Sequence, residues 1–174
     1  MAALILSTNP AQAAGLSGPI FESPALITSV GQSADGQLVK VLADRVGIGY
    51  SYDSLAPASV VRDYKTVILV VGGSSKGLGA AGINQDQEES RARALIAAAR
   101  DAGTQILFMH VGGEARRGDL TDRFVTITAP AAQYLIIVAD GNKDGFMTNA
   151  APGVPSDMAD TVGDAGRLLK AAFK

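Results

Sequence analysis

Apolar and polar residues alternate in blocks along this chain, and the blocks come in two lengths. The short blocks are A-L-I-T-S-V at residues 25–30, T-V-I-L-V-V at 66–71, T-Q-I-L-F-M-H at 104–110 and Y-L-I-I-V at 134–138, with a weaker fifth, I-G-Y-S-Y, at 48–52. Short apolar runs rich in β-branched side chains predict strands covered on both faces. Residues 66–71 are the purest run and should be central in the sheet. The long blocks carry apolar residues at helical spacing. Leu38, Val41, Leu42 and Val46 form one such stripe, with Ser33 as its expected cap and Gly47 as its stop. Residues 59–64 predict one or two helical turns. Residues 86–102 predict the best helix, charged at its start, Ala-rich towards its end and stopped by Gly103. A further helix is expected at 120–128, before Pro130, and a last one from about 158 to 173, weakened by Gly163 and Gly166.

Strand followed by helix, repeated five times, predicts a three-layer α/β fold: a five-stranded parallel sheet with helices on both faces. Its crossovers should be right-handed. The expected strand order is the flavodoxin-like 2-1-3-4-5, with a Rossmann-like half as the alternative. A chain of 174 residues suits one such domain, placed at residues 21–174. Residues 1–20 read as a tail or the remnant of an export signal, because a short apolar piece leads to the small-x-small pattern Ala11-Gln12-Ala13. That reading expects an extracytoplasmic location, with a cytoplasmic one as the alternative. No run approaches the roughly 20 apolar residues of a membrane span.

Composition narrows the chemistry. Net charge is −2, which offers no basic field for nucleic acid. The chain has no cysteine, so disulfides, thiolate nucleophiles and zinc–thiolate sites are excluded. Trp is absent and aromatics are 5%, leaving few surfaces on which flavins, bases or sugars could stack.

Ligands of open parallel sheets bind beyond the carboxyl ends of the strands. In this sequence the loops at those ends are polar and Gly-rich: T-S-V-G-Q-S-A-D after the first strand, G-G-S-S-K-G-L-G after the third, H-V-G-G-E-A-R-R-G-D after the fourth and D-G-N-K-D-G after the fifth. Gly31, Gln32 and Ser33 offer donors at a helix start. Gly73, Ser74, Ser75, Lys76 and Gly77 suggest converging amides, hydroxyls and a cation. His110, Arg116 and Arg117 would supply a positive wall, the paired arginines being suited to clamping a carboxylate or phosphate. Asp140, Asn142 and Asp144 repeat the opening of a calcium loop, but the twelfth position, where a Glu belongs, is Ala151.

The Gly73–Gly77–Gly79 spacing also matches the cofactor loop of short-chain dehydrogenases. That reading fails. The loop follows the third strand instead of the first, the next helix is expected only at residue 86, and none of the four tyrosines has a lysine four residues on. Flavin mononucleotide is disfavoured by loops without aromatic walls.

The strings L-I-T-S-V-G-Q-S-A-D, L-V-V-G-G-S-S-K-G-L-G-A-A-G-I, G-G-E-A-R-R-G and D-G-N-K-D-G together resemble an uncharacterised bacterial family of small Rossmann-like domains, from Phe21 to the C-terminus. Its members often carry export signals. The resemblance implies the fold and export and transfers no catalytic residue. The sequence therefore leads to a binding protein for a small anionic solute, without a cofactor. The alternatives are a self-assembling extracytoplasmic subunit, forming a homo-oligomer or homopolymer, and an enzyme of unknown reaction using the same loops.

Overall fold

The computed structural model describes residues 15–174, so the apolar start and the small-x-small pattern lie outside the described residues. Six strands form one sheet: β1 (Ala25–Val30), β2 (Tyr50–Tyr52), β3 (Thr66–Val71), β4 (Gln105–His110), β5 (Tyr134–Val138) and β6 (Ser156–Ala159). Their order is β2-β1-β3-β4-β5-β6, and every neighbouring pair is parallel. The helices are α1 (Asp35–Val46), α2 (Ser75–Ala80), α3 (Gln85–Ala102), α4 (Asp119–Thr128), α5 (Phe146–Ala150) and α6 (Val162–Ala172), with a 3-10 stretch at Ala58–Asp63.

The sheet has six strands, not the expected five. The sixth is S-D-M-A, a partly exposed edge strand that pairs only with β5, from Leu135↔Ser156 to Val138↔Ala159. Half of it is polar and none of it is β-branched, so it lacks the pattern that marked the others. The helix expected from about residue 158 begins instead at Val162. There Thr161 accepts the Asp164 amide and Asp164 returns a bond to the Thr161 amide.

The apolar runs of β1, β3, β4 and β5 feed two cores in alternation, as the two-residue period of a strand requires. Leu26, Val67, Leu69, Phe108 and Leu135 point to one face, packed against Ala92 and Leu95 of α3 and Phe124 of α4. Ile27, Ile68, Val70, Leu107 and Ile136 point to the other, against Val39 and Leu42 of α1 and Leu169 of α6. At the amino edge of the sheet, Phe21 pairs in parallel with Phe173, and the Phe21 ring lies 5.7 Å from that of Phe173 and 6.5 Å from that of Tyr134.

β1 has β2 on one side and β3 on the other, so the chain reverses its direction of travel across the sheet at β1. The crossover α1 packs on one face and α3 on the other. The switch point therefore lies between the loops leaving β1 and β3, at the carboxyl edge, where such sheets place ligands in a crevice.

Candidate functional site

The loops after β1 and β3 are stitched together before any ligand is considered. Gln32 and Gly73 form an antiparallel bridge. The Ser33 amide donates to the Gly72 carbonyl at 3.2 Å and the Ser74 amide to the Gly31 carbonyl at 2.8 Å. The Gly31 amide donates to Glu88 Oε1 at 2.8 Å, and the Gly73 amide to Thr121 Oγ1 at 2.8 Å. Donors expected to converge on an anion are thus occupied within the chain.

Residues 75–80, expected as an open loop, are helix α2. Ser74 caps it from an extended conformation by accepting the Gly77 amide at 3.0 Å. Gly77 lies so close to the Gln32 carbonyl that a Cβ there would collide with its oxygen. Ser75 and Lys76 remain exposed on the first turn. Ser33 does not cap α1 in the expected manner. The N-cap is Ala34, and the Ser33 hydroxyl accepts the Asp35 amide at 3.3 Å.

Glu88 was legible only as one of the charges at the start of a helix, yet it is completely buried. Its carboxylate accepts from the Gly31 amide, from Gln32 Nε2 at 2.9 Å and from Arg91. Arg91 also donates to the Ser29 and Ala56 carbonyls. Burial pushes the Glu88 carboxyl up, but the Arg91 hydrogen bond and charge, with the Gln32 and Gly31 donors, more than offset this and hold it below its ordinary value. The network fixes Gln32, whose φ of 56° is the only positive value at a non-glycine among the described residues.

His110 is fully buried, with Nδ1 2.9 Å from the Val71 carbonyl and Nε2 3.2 Å from the Gly113 carbonyl. It ties the end of β3 to the loop after β4 and presents no nitrogen to the crevice. Arg117 is equally engaged. It is bidentate to Asp122 at 2.9 and 3.1 Å, bonds Asp144 at 2.9 and 3.1 Å and the Gly141 carbonyl at 2.7 Å, and lies 5.2 Å over the Phe146 ring. These hydrogen bonds, from Asp122 first and then Asp144, raise the Arg117 guanidinium further. In turn Arg117, helped by the Phe146 amide, lowers the Asp144 carboxyl to about 2.

The calcium-like string is therefore spoken for. Asp144 holds Arg117, while Asn142 accepts the Met147 amide at 2.8 Å and donates to Thr148 at 3.2 Å. The Asp140 carboxylate packs against Gly113. Among the described residues no group of three or more His, Asp or Glu side chains is placed to hold a metal ion.

Arg116 differs from its neighbour. Its side chain is 34% exposed, and no hydrogen bond among the described residues satisfies its guanidinium. Nε stands 3.4 Å from Oδ2 of Asp35, whose side chain is 5% exposed. Both atoms are buried, and they form an ion pair whose geometry falls short of a hydrogen bond. Two glycines make room for this pair. A Cβ on Gly72 would come within 2.8 Å of Asp35 Oδ2, and one on Gly112 within 2.5 Å of Oδ2 and 2.9 Å of Arg116 Cγ. Arg116 also lines a recess of about 210 Å³ with Gly73, Ser75, Gly118, Asp119 and Thr121. Larger grooves run along α3, beside Arg93, Ile127 and Pro130 and beside Ser59, Arg62 and Asp101, but they hold no buried polar group left unpaired.

The site thus gathers Gly73, Ser75 and Arg116 from the expected set, with Lys76 on the adjoining helical turn. Gly31, Gln32, Gly77, His110 and Arg117 serve as its frame. Asp35 and Thr121 were not anticipated. Asp35 follows G-Q-S-A at a helix start, where an acidic residue reads as favourable to the helix dipole and attracts no further notice.

A family model covers residues 22–173, nearly the whole described chain. The chain belongs to the family described as a domain of unknown function, DUF6305. No function is assigned to DUF6305, so its membership adds no activity to the geometry. No curated protein and no solved structure matches the chain. Among the described residues no helix is long and apolar enough to cross a membrane.

Proposed function

We propose that this domain binds a small anionic solute, a carboxylate or phosphate, at the carboxyl edge of its sheet, with Arg116 as the principal contact. The observation that carries this reading is the contrast between two adjacent arginines. Arg117 spends its guanidinium on Asp122, Asp144 and Gly141, whereas Arg116, beside a recess between the loops after β3 and β4, commits only Nε, 3.4 Å from Asp35 Oδ2, and its terminal nitrogens have no hydrogen bond among the described residues. Terminal guanidinium nitrogens left without an acceptor favour an incoming oxyanion. Ser75 adds a hydroxyl to the wall, and Lys76 adds positive charge nearby. The recess suits a solute of a few heavy atoms and is too small for a dinucleotide.

The same reading takes the chain as an exported bacterial relative of small Rossmann-like or flavodoxin-like domains, on the strength of its loop strings. Recovery from the extracytoplasmic fraction of the source cells tests that part, and purely cytosolic recovery sinks it.

A thermal-shift screen of carboxylates and phosphates tests the binding reading, followed by calorimetry. An anion at a hundred times its dissociation constant should stabilise the fold by about 2.7 kcal/mol. Arg116→Ala should abolish the shift, and Lys76→Ala should weaken it. Binding that survives Arg116→Ala unchanged, or no saturable shift from any anion, counts against the site.

A further inference from the structure

Arg116 and Asp119 carry opposite charges, stand close in sequence and line the same recess, yet they are not paired with each other. Arg116 is ion-paired only through Nε, to Asp35. The exposed Asp119 has neither an ion pair nor a side-chain hydrogen bond among the described residues. Elsewhere on the surface opposite charges do meet: Arg93 with Glu89, and Arg123 with both Asp86 and Glu89. The backbone between Arg116 and Asp119 is braced. Arg117 is clamped by Asp122, Asp144 and the Gly141 carbonyl. Thr121 Oγ1 donates to the Arg116 carbonyl at 2.5 Å and accepts the Gly73 amide at 2.8 Å. Gly118, with φ 145°, turns the chain into α4. An acidic residue at the start of α4 also suits the helix dipole. Asp122, in the same first turn, already supplies that charge and is spent on Arg117, so Asp119 is a second carboxylate without a partner.

One unpaired cation and one unpaired anion on the walls of a recess complement a solute that carries both charges. A bare carboxylate accepts from Arg116 but is repelled by Asp119, and phosphate, with more charge, is repelled more strongly. An amine attracts Asp119 but is repelled by Arg116. An α-amino acid holds a carboxylate and an ammonium on one carbon, and a small one suits a recess of about 210 Å³. We infer that the solute is zwitterionic, a small α-amino acid, with its carboxylate on the terminal nitrogens of Arg116 and its ammonium on Asp119. This rests on the anion-binding reading and names the class of carboxylate. Arg116 supplies the attraction common to all carboxylates, and Asp119 is the specificity-determining residue. The Ser75 hydroxyl on the same wall is able to donate to the carboxylate or accept from the ammonium.

Titration calorimetry on the full chain at neutral pH tests this with four probes: free alanine, propionate (which lacks the ammonium), ethylamine (which lacks the carboxylate) and inorganic phosphate. Alanine should bind at least about fivefold more tightly than any of the other three, as one added charge-assisted contact to a carboxylate allows. Asp119→Asn should bring alanine down to the level of propionate while leaving propionate binding unchanged or tighter. Arg116→Gln should remove the binding of both. Any of the three other probes matching alanine on the unmodified protein overturns the inference and needs no variant to fold; where that probe is propionate or phosphate, anion binding stands. An alanine advantage that persists in a folded Asp119→Asn protein also overturns it. Failure of alanine, propionate and phosphate alike to bind would instead remove the anion-binding reading, and this inference with it.

Discussion

Glu88 shows how much of the crevice hangs on one side chain. It accepts from Gly31, Gln32 and Arg91, so its removal leaves Arg91 buried without a counter-charge and two loop donors unsatisfied. Breaking a buried pair by deleting one partner typically costs about 3–5 kcal/mol. Glu88→Ala should therefore lower stability by about that amount in chemical denaturation. The acid response follows from the carboxyl lying below its ordinary 4.5 when folded. The unfolded chain takes up the proton at higher pH than the folded chain does. The stabilisation is complete above about 4.5 and drains away as the pH falls through the lowered folded value. Glu88→Gln should flatten this part of the stability profile, measured as urea midpoints between neutral pH and pH 3. A variant that keeps the full acid slope would show that the slope arises elsewhere. Nothing in the sequence distinguished Glu88 from Glu89, which is partly exposed and pairs with Arg93 and Arg123. The difference is one of helix face, and it becomes readable only when the β1 loop is known to lie against α3.

At the scale of elements, what the sequence revealed depended on how completely each segment is buried. The runs of β1, β3, β4 and β5 are covered on both faces and are mostly apolar, so their patterns read as strands. The stripe at Leu38, Val41 and Leu42 also marked a helix, although Leu38 and Val41 prove exposed and Val39 points inward. Three short elements escaped. F-M-T-N-A and S-D-M-A are too short to show a period, and S-K-G-L-G-A carries two glycines that argue for a loop. In α2 those glycines have opposite roles. A Cβ on Gly77 would strike the Gln32 carbonyl, whereas one on Gly79 meets nothing within 4 Å. Gly77→Ala should force the β1 and β3 loops apart, lowering stability by about 1–3 kcal/mol and weakening anion binding. Gly79→Ala should be neutral, or stabilising by up to about 1 kcal/mol through helix propensity. Equal melting temperatures for the two variants would contradict this account of α2.

Across the whole molecule the two edges of the sheet are built differently. The carboxyl edge is a set of loops held in two groups: the β1 and β3 loops by the Gln32–Gly73 bridge and Glu88, the β4 and β5 loops by Arg117 with Asp144 and Glu114 with Lys143. Arg116 spans these groups, reaching Asp35 of α1 from the loop after β4. That the Gly-rich loops gather at one edge could be read from the sequence, but which of their polar groups would pair with one another could not. That depends on pairings between residues dozens of positions apart. The amino edge is closed by Phe21 and Phe173, with the Lys174 amide donating to the Phe21 carbonyl at 3.0 Å and Lys174 Nζ reaching Glu22. The two extremities of the family-matched region are therefore neighbours in space, fastened to each other on the side of the sheet away from Arg116. Topologically the domain is close to a ring with one cut. A short splice between those extremities would close the ring, and a new opening at the exposed turn around Gly82, between α2 and α3, would yield a circular permutant with the same layers and the same crevice.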